Sequence, residues 1–407
     1  MQTPTNMRIV PAGTTLAHPL SQHGALPISP LVAAVLATCV VLGLALRSPK
    51  RQQLPHDGAE RFASWATDLT LPKILTRSLT LALVVLAVAA GRVGSPDELD
   101  NLAPALVVGV AWPLLLLASA LLGPIWRWLD PWDFVARLQP SEGIDSAAGS
   151  VGPAVVGAFV WAWYLNAYGS TLEPRSVGAA LGLYTIVTVA GCLAFGRALW
   201  LSRAEALGLL LTWTAHSRRR GLLTWRPPRF AELVLGVVAG GLLFGALRAS
   251  ELWGERNVAS RAELYALAGV TTSCALWALL LSRLERSSSR RGAPGTVAAG
   301  VVPVIAAFTV ASALANNRLF TSLQLLPGLM GDPFGEGWNL FGEAAIGLHP
   351  SPLGATGLAV VQVVVLLLGF VAGSSVVSRR AAPDGRYPAI IALSLLAAAT
   401  TIAVTTA

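Results

Sequence analysis

Apolar runs long enough to cross a lipid bilayer recur about ten times along this chain of 407 residues. A transmembrane helix needs about 17–25 mostly apolar residues to cross about 30 Å of hydrocarbon. The charged residues are concentrated in the stretches between the runs. The pattern therefore predicts an all-α, polytopic integral membrane protein with about ten transmembrane helices. The predicted spans cover residues 28–46, 72–91, 102–123, 152–169, 177–200, 231–249, 264–282, 296–316, 354–377 and 388–406.

The composition agrees with a membrane environment. Hydrophobic residues make up 54% of the chain and charged residues 12%, and the mean hydropathy is +0.63. We expect one helical transmembrane domain over residues 1–407 with the lipid bilayer as its main partner. The first 17 residues lack an apolar core, so the sequence predicts no cleavable signal peptide.

The placement of the basic residues predicts an orientation. The loops that follow the first, fifth, seventh and ninth spans are rich in arginine, whereas the alternate loops are acidic or mixed. Positive loops remain in the cytoplasm, so both termini are predicted to lie outside it. The net charge of +8 is thus explained by topology, and no nucleic-acid partner is predicted. Arginine strongly outnumbers lysine, which is typical of a high-GC bacterial gene and predicts the bacterial cytoplasmic (inner) membrane.

Three connecting segments are too apolar and too aromatic for ordinary loops. They cover residues 124–134, 203–216 and 319–341. Tryptophans anchor interfacial helices at headgroup depth, and the second segment is predicted to be an amphipathic helix on the membrane surface. The alternative is a re-entrant element that lines a cavity, where a broken backbone is satisfied inside the protein. The residues that mark the first and third segments are Trp126, Asp130, Pro131, Trp132, Asp332, Pro333, Phe334, Trp338 and Phe341.

The order of the spans favours two halves of opposite topology. The half formed by spans one to five begins outside the cytoplasm, and the half formed by spans six to ten begins inside it. These halves are residues 1–230 and 231–407. The first and third aromatic segments each follow the third span of their half. Inverted repeats with broken segments in matching positions are typical of secondary transporters.

Glycine pairs spaced four residues apart predict close helix packing. Two glycines on one helix face let a neighbouring backbone approach closely. The pairs are Gly236 with Gly240, Gly241 with Gly245, and Gly369 with Gly373.

Ionisable residues are nearly absent from the centres of the predicted spans. No Asp or Glu lies in the middle of a span, so the pattern does not favour a proton relay within the spans. Arg77, Arg197 and Arg248 lie near span ends, where we expect them to extend toward the headgroups.

The cysteines and histidines show no local metal-binding spacing. Cys39, Cys192 and Cys274 all fall inside predicted spans and are expected to be small buried hydrophobes. A metal site assembled from distant segments is the remaining hypothesis, since several ligand-type residues lie on the predicted outer side. They are His18, His23 and His349, with Asp332 or Glu336.

Several motifs point to a known family. Residues 332–342 read DPFGEGWNLFG, and residues 195–205 contain Phe-Gly-Arg followed by Trp200 and Glu205. Leu-Gly-x-x-Trp and Asp-Pro-Trp occur within residues 122–132, and shorter matches begin at residues 17 and 351. With these motifs, most of the chain resembles the fenitrothion-hydrolase-like family of bacterial multispanning membrane proteins.

The family is named for hydrolysis of an organophosphate ester. The resemblance therefore implies a hydrolase of lipophilic phosphotriesters, with Asp332 and Glu336 as the candidate catalytic residues and His18, His349 and Asp332 as candidate ligands of a divalent metal. The chain departs from the family pattern where histidines or an acid are expected. Because such residues hold a metal or activate water, the departures predict that the family chemistry is weakened or lost. The departing residues are Gly245, Asn316, Phe370 and Ser378.

The sequence thus leaves three functions open. The first is a membrane protein of the resembled family, either active as a hydrolase or without its chemistry. The second is a transporter or permease built from two inverted five-helix halves. The third is a non-catalytic subunit that works with a membrane protein partner, which the scarcity of polar residues in the spans favours.

Overall fold

The structure confirms an all-α membrane protein. It is a computed structural model, and in the part of the chain that it describes the regular structure is helical and contains no strand. The described residues are 71–138, 152–217, 221–228, 230–257, 261–315, 318–340 and 353–406.

Sixteen α-helices, one π-helical segment and one short 3-10 helix make up these ranges. The π-helical segment Pro104–Ala111 continues directly into α2, and the 3-10 helix Glu251–Trp253 leads into α11. The α-helices are α1 Leu71–Val93, α2 Trp112–Leu122, α3 Trp126–Leu129, α4 Pro131–Leu138, α5 Gly152–Asn166, α6 Pro174–Phe195, α7 Arg197–Arg203, α8 Ala206–Ala215, α9 Gly221–Thr224, α10 Ala231–Ala249, α11 Gly254–Asn257, α12 Ala262–Arg290, α13 Thr296–Ala315, α14 Arg318–Gly331, α15 Gly354–Arg380 and α16 Pro383–Thr406.

Eight helical segments in the described ranges are long and apolar enough to cross a membrane. They correspond to eight of the ten predicted spans. The predicted span 28–46 lies outside the described residues. The predicted span 152–169 corresponds to α5, which has 15 residues and is shorter than the usual spanning length. The predicted span 177–200 extends too far at its end, because α6 ends at Phe195.

Two helices form the centre of the bundle. In α10 and α13, 67% and 78% of the spanning residues are buried, against 22% in α1. Helix α10 packs against α5, α12, α13 and α16, and α13 packs against α2, α8, α15 and α16. Helices α1 and α6 pack against each other. A helix that is apolar all round is expected to be central, and the sequence of α13 fits that expectation.

The predicted glycine pairs all lie at helix contacts. A Cβ built on Gly236 would lie 2.5 Å from the Cα of Ala278, and one built on Gly240 would lie 2.6 Å from the Cα of Cys274. The hydroxyl of Ser273 also donates a hydrogen bond to the carbonyl of Gly240, at 2.7 Å. The absence of side chains on this face of α10 therefore lets α12 approach at backbone distance.

The other two pairs act in the same way on different partners. Gly241 faces Ala162, where a Cβ would come within 2.5 Å of the alanine methyl, and Gly245 faces Asn166. Gly369 faces Ala307 across the contact between α15 and α13, at the same 2.5 Å. The glycine spacing read from the sequence thus marks three real interfaces.

The second aromatic segment differs from the prediction. Helix α8 was expected to lie on the membrane surface, but most of its residues are buried, including Leu210, Leu211 and Trp213. It packs against α2, α5 and α7. The reason is that apolar side chains cover nearly its whole circumference, so it has no polar face to turn toward water.

The packing of α10 on α12 makes Gly240 a sensitive position. We expect Gly240→Ala to lower the apparent Tm of the purified protein, because the new methyl group overpacks a backbone contact at a cost of about 1–3 kcal/mol. Gly328→Ala is the matched control, since nothing lies within 4 Å of a Cβ at that position. Thermal unfolding in detergent measures both, and an equal Tm for the two variants would contradict the packing described.

Candidate functional site

The candidate functional site is built on the first aromatic segment, directly after α2. Gly123 ends α2 with φ of 97°, a left-handed conformation that favours glycine. Two short helices, α3 and α4, follow and are separated only by Asp130. Pro131 opens α4, where the missing N–H of proline costs nothing. The chain therefore breaks twice within a few residues, which places polar side chains at the ends of short helices.

Asp130 caps α4. Its Oδ1 accepts hydrogen bonds from the backbone N–H groups of Trp132 and Asp133, both at 3.0 Å. The side chain is enclosed, and the residue is 8% exposed. Capping carboxylates commonly lie at the surface of a protein, so an enclosed one is notable.

Asp133 is the centre of the site. Its carboxylate contacts three arginines that come from three different helices: Arg77 of α1 at 2.6 Å, Arg137 of α4 at 2.9 Å, and Arg197 of α7. Asp133 and Arg77 are both buried. Because an isolated buried charge is very costly, these ion pairs tie α4 to α1 and α7.

Further contacts hold the aromatic segment on α1. The hydroxyl of Thr76 donates to the carbonyl of Trp128 at 2.7 Å. Nη2 of Arg77 donates to the carbonyl of Arg127 at 2.6 Å. The ammonium of Lys73 lies 5.4 Å from the centre of the Trp128 ring, a cation–π distance. The start of α1 thus binds both the backbone and the rings of the segment.

The tryptophans of the segment pack inward on α6. Trp132 meets Tyr184 edge to face with ring centres 5.0 Å apart, and its indole N–H donates to the hydroxyl of Thr185 at 3.3 Å. Trp126 lies against Trp132 at 5.6 Å. Both tryptophans are buried, so they line the protein interior rather than anchor the segment at a headgroup surface.

A second helix interruption at a glycine positions Arg197 near Asp133. Gly196 has φ of 85° and separates α6 from α7. Helix α7 then folds back so that the ring of Trp200 covers Gly191, where a Cβ would collide with it, and stacks on Phe195 with ring centres 5.5 Å apart. This fold-back brings the guanidinium of Arg197 to Asp133.

Glu205 is the third acid of the site. Its carboxylate caps α8 by accepting from the backbone N–H groups of Leu207 at 3.0 Å and Gly208 at 2.7 Å. The residue is 3% exposed. A Cβ on Gly208 would collide with the Glu205 carboxylate and lie 2.8 Å from Nε1 of Trp126. The glycine therefore lets the indole N–H of Trp126 lie beside this acid.

Burial separates the protonation behaviour of the three acids. Removal from water raises the pKa of Asp130 to about 7, and it raises the pKa of Glu205 to about 8, with a contribution from nearby Asp130. Burial also opposes ionisation of Asp133, but its arginines outweigh that effect and lower its pKa. The site thus joins one carboxylate whose pKa is lowered to two carboxyl groups whose pKa values are raised toward neutral pH.

Sequence reasoning assigned the arginines a different role. Arg77 and Arg197 were expected to extend toward the headgroups, but both turn inward to Asp133. Arg248 is partly buried and donates to the carbonyl of Ala167 at 2.7 Å and to the side chain of Asn257 at 3.3 Å. Asp133 was not singled out as a site residue. A signal was present in retrospect, because an acid inside an apolar aromatic segment needs a buried cation.

The third aromatic segment forms most of α14 and then, from Asp332 to residue 340, an ordered loop. The Asp332 carboxylate accepts from the backbone N–H groups of Glu336 at 3.0 Å and Gly337 at 2.7 Å. The carbonyl of Phe334 accepts from the N–H of Ser95 at 2.7 Å, which ties the loop to the connection after α1. Phe334 and Trp338 meet edge to face at 5.4 Å. Asp332 thus supports the loop backbone.

The predicted outer metal site is only partly covered by the structure. His18, His349 and Phe341 lie outside the described residues. Among the described residues, no group of three His, Cys, Asp or Glu side chains has the arrangement of a metal site. The metal site therefore stays a prediction. Of the cysteines, Cys192 and Cys274 are buried as expected, and Cys39 lies outside the described ranges.

Comparisons with protein-family models, with curated proteins and with solved structures found no match to this chain. The function is therefore inferred from the helices and the site geometry.

The raised pKa of Glu205 predicts a pH-dependent stability. Between its ordinary value of 4.5 and about 8, the folded chain holds a proton that the unfolded chain has lost, so stability falls as pH rises through this range. We expect Glu205→Gln to reduce this slope, which for one group is at most about 1.4 kcal/mol per pH unit. Asp130 contributes a similar fall that ends near pH 7.

Thermal unfolding from pH 5 to pH 9 measures this effect. Glu173→Gln is the matched control, because Glu173 is exposed. An unchanged slope in Glu205→Gln would show that Glu205 is ionised in the folded protein.

Proposed function

We propose that this chain is a proton-linked membrane transporter, with Asp130 and Glu205 as its proton-binding residues. The observation that carries the proposal is a pair of enclosed carboxyl groups: Asp130 lies next to the arginine-bound Asp133, and Glu205 lies close to Asp130. Ionisable groups buried in membrane proteins commonly mark ion or proton pathways. A purely structural role would not require these carboxyl groups to be buried.

The protonation behaviour of the two acids supports this proposal. Their pKa values of about 7 and about 8 let them bind and release a proton at physiological pH. Asp133 differs because its arginines hold it ionised, so it serves as a fixed charge around which the exchangeable protons move. This division of roles among neighbouring carboxyl groups is a recurring way to assign acid and base functions.

The position of the acids on broken helices is also consistent with transport. Transporter sites are commonly formed where helices are interrupted, and here both acids cap short helices next to glycine breaks at Gly123 and Gly196. The proposed arrangement of inverted halves, 1–230 and 231–407, belongs to the same class of protein. From the arginine-rich loops, we place the site at the cytoplasmic end of the bundle in a bacterial inner membrane, with both termini outside.

A reconstituted protein tests the transport proposal directly. Proteoliposomes loaded with a pH-sensitive dye, with the membrane potential clamped, are exposed to a panel of small anions and neutral solutes. We expect at least one solute to drive internal acidification. Asp130→Asn and Glu205→Gln should each abolish that coupling because their side chains no longer release a proton at neutral pH.

Glu173→Gln should behave as the unaltered chain, since it removes an exposed carboxylate with the same chemistry. Proton movement that persists in both site variants would exclude these acids as the coupling residues. No proton movement with any solute, in a protein shown to be folded, would count against transport altogether.

A second candidate is a hydrolase of the fenitrothion-hydrolase-like family, to which we propose the chain belongs. Two observations favour it. The described part of the resembling motif, residues 332–340, forms a defined loop that exposes Glu336 and Trp338. The resembling residues Trp200 and Glu205 lie around the buried site, as do Trp126 and Trp132 of the first aromatic segment. The buried charged site argues against a purely passive partner subunit, which remains the third hypothesis.

Hydrolysis of a chromogenic aryl phosphotriester by membranes that contain the chain tests the second candidate. If the loop is catalytic, Glu336→Gln should abolish turnover, because it removes an exposed carboxylate without taking a hydrogen-bond acceptor from the loop backbone. Glu98→Gln, at another exposed carboxylate, should leave turnover unchanged. Absence of turnover above empty membranes would remove this candidate.

A further inference from the structure

The surroundings of Asp133 contain enclosed polar atoms, most of them hydrogen-bond donors, that have no described partner. Several polar atoms there have no hydrogen-bond partner within the described ranges, although each is shielded from solvent. Such groups are rare in folded proteins, because an enclosed polar atom without a partner loses its hydrogen bonds to water. Among them are Nε of Arg77, Nε1 of Trp126, the hydroxyl of Tyr184 and Nε1 of Trp200.

These donors lie on one connected set of side chains. Arg77 contacts Asp133 directly. Trp126 packs on Trp132, and Trp132 packs on Tyr184. Trp200 follows Arg197 by one turn on α7. These four donors therefore belong to side chains around the site, although unpartnered buried groups also occur elsewhere in the bundle.

The charges are unbalanced in the same direction. The single carboxylate of Asp133 meets both Arg77 and Arg197, and Arg137 adds a third guanidinium. In the described contacts, the Oδ1 of nearby Asp130 accepts from two backbone N–H groups and from none of these guanidinium groups. A guanidinium carries five donors, whereas the described contacts of Arg197 use only its Nη1.

The site is also open on one side. The side chain of Arg197 is 34% exposed and that of Arg137 is 19% exposed, against 7% for Arg77. A ligand that reaches the site from outside meets Arg197 first. The less exposed guanidinium groups of Arg137 and Arg77 lie behind it, on the same carboxylate.

From these features we infer that the site binds a phosphate group, with Arg197 as its outer contact. A phosphate offers several acceptors, carries negative charge and pairs with the fork of a guanidinium through two hydrogen bonds. The inference rests on the proposed transport function in one respect: it names the charged group of the solute that moves with the proton. The phosphate source is a free small molecule or the headgroup of an anionic lipid, and the two are separated by experiment.

Binding measurements on the full chain test the inference. In the first arm, the protein in a zwitterionic detergent is titrated with inorganic phosphate against chloride at equal ionic strength, and the Tm is followed. In the second arm, native mass spectrometry counts bound phosphatidylglycerol and phosphatidylcholine after both lipids are added in equal amounts. Arg197→Gln is the test variant. Arg203→Gln is the matched control, because Arg203 is exposed at the other end of the same helix.

A site for a free phosphate is established if phosphate raises the Tm and two further conditions hold. The apparent phosphate affinity must fall about tenfold in Arg197→Gln and stay unchanged in Arg203→Gln. Preferential retention of phosphatidylglycerol, lost only in Arg197→Gln, assigns the site to a lipid headgroup. The inference is overturned if neither ligand binds, or if the two variants lose binding equally. Arg137→Gln replaces Arg197→Gln if the latter fails to fold.

The two proposals fail separately. Neither binding arm requires a pH gradient, so phosphate binding without solute-linked proton movement would contradict the transport proposal alone. Proton movement driven by neutral solutes, together with absent phosphate binding, would contradict the phosphate-site inference alone.

Discussion

Removing the Asp133 carboxylate from water is the constraint on which the site depends. A charge in such surroundings is tolerated only with cations and donors around it, and these come from the start of α1, from α4 itself and from α7. The ion pairs therefore decide where the short helices lie against the long ones. Asp130 and Glu205 are buried as a consequence, since each caps a short helix that this arrangement holds inside the protein.

The chain achieves this with two kinds of glycine. At Gly240 and its counterparts in the other pairs, the missing side chain brings long helices together and builds a tight scaffold around α10 and α13. At Gly123 and Gly196, the left-handed backbone ends a helix and turns the chain back. The first kind makes a rigid framework, and the second creates the breaks at which polar groups are concentrated. Sites in membrane proteins commonly combine these two features.

The outer loop and the buried site have opposite characters. In the loop, both carboxylate oxygens of Asp332 accept hydrogen bonds from backbone N–H groups, and Glu336 is exposed. In the buried site, several enclosed donors have no described partner, and burial raises the pKa values of two acids to about 7 and about 8. The resemblance to a hydrolase family drew attention to the loop, whereas the electrostatics favour the buried site. We therefore base the proposed proton-linked transport on the buried site.

The sequence alone determined the class of the protein and most of its helices, because a run of apolar residues in lipid has little choice but to form a helix that satisfies its own backbone. It also identified the glycine interfaces and the residues Trp126, Asp130, Pro131 and Trp132 as an unusual segment. It did not reveal that Arg77 and Arg197 meet Asp133, since these residues are 56 and 64 positions away and each arginine taken singly fits a snorkelling role. Only the tertiary structure decided that pairing, and with it the burial of α8 and of Glu205. The physical reason is that hydrophobic pattern acts locally along the chain, whereas the partner of a buried charge is chosen by packing between distant helices.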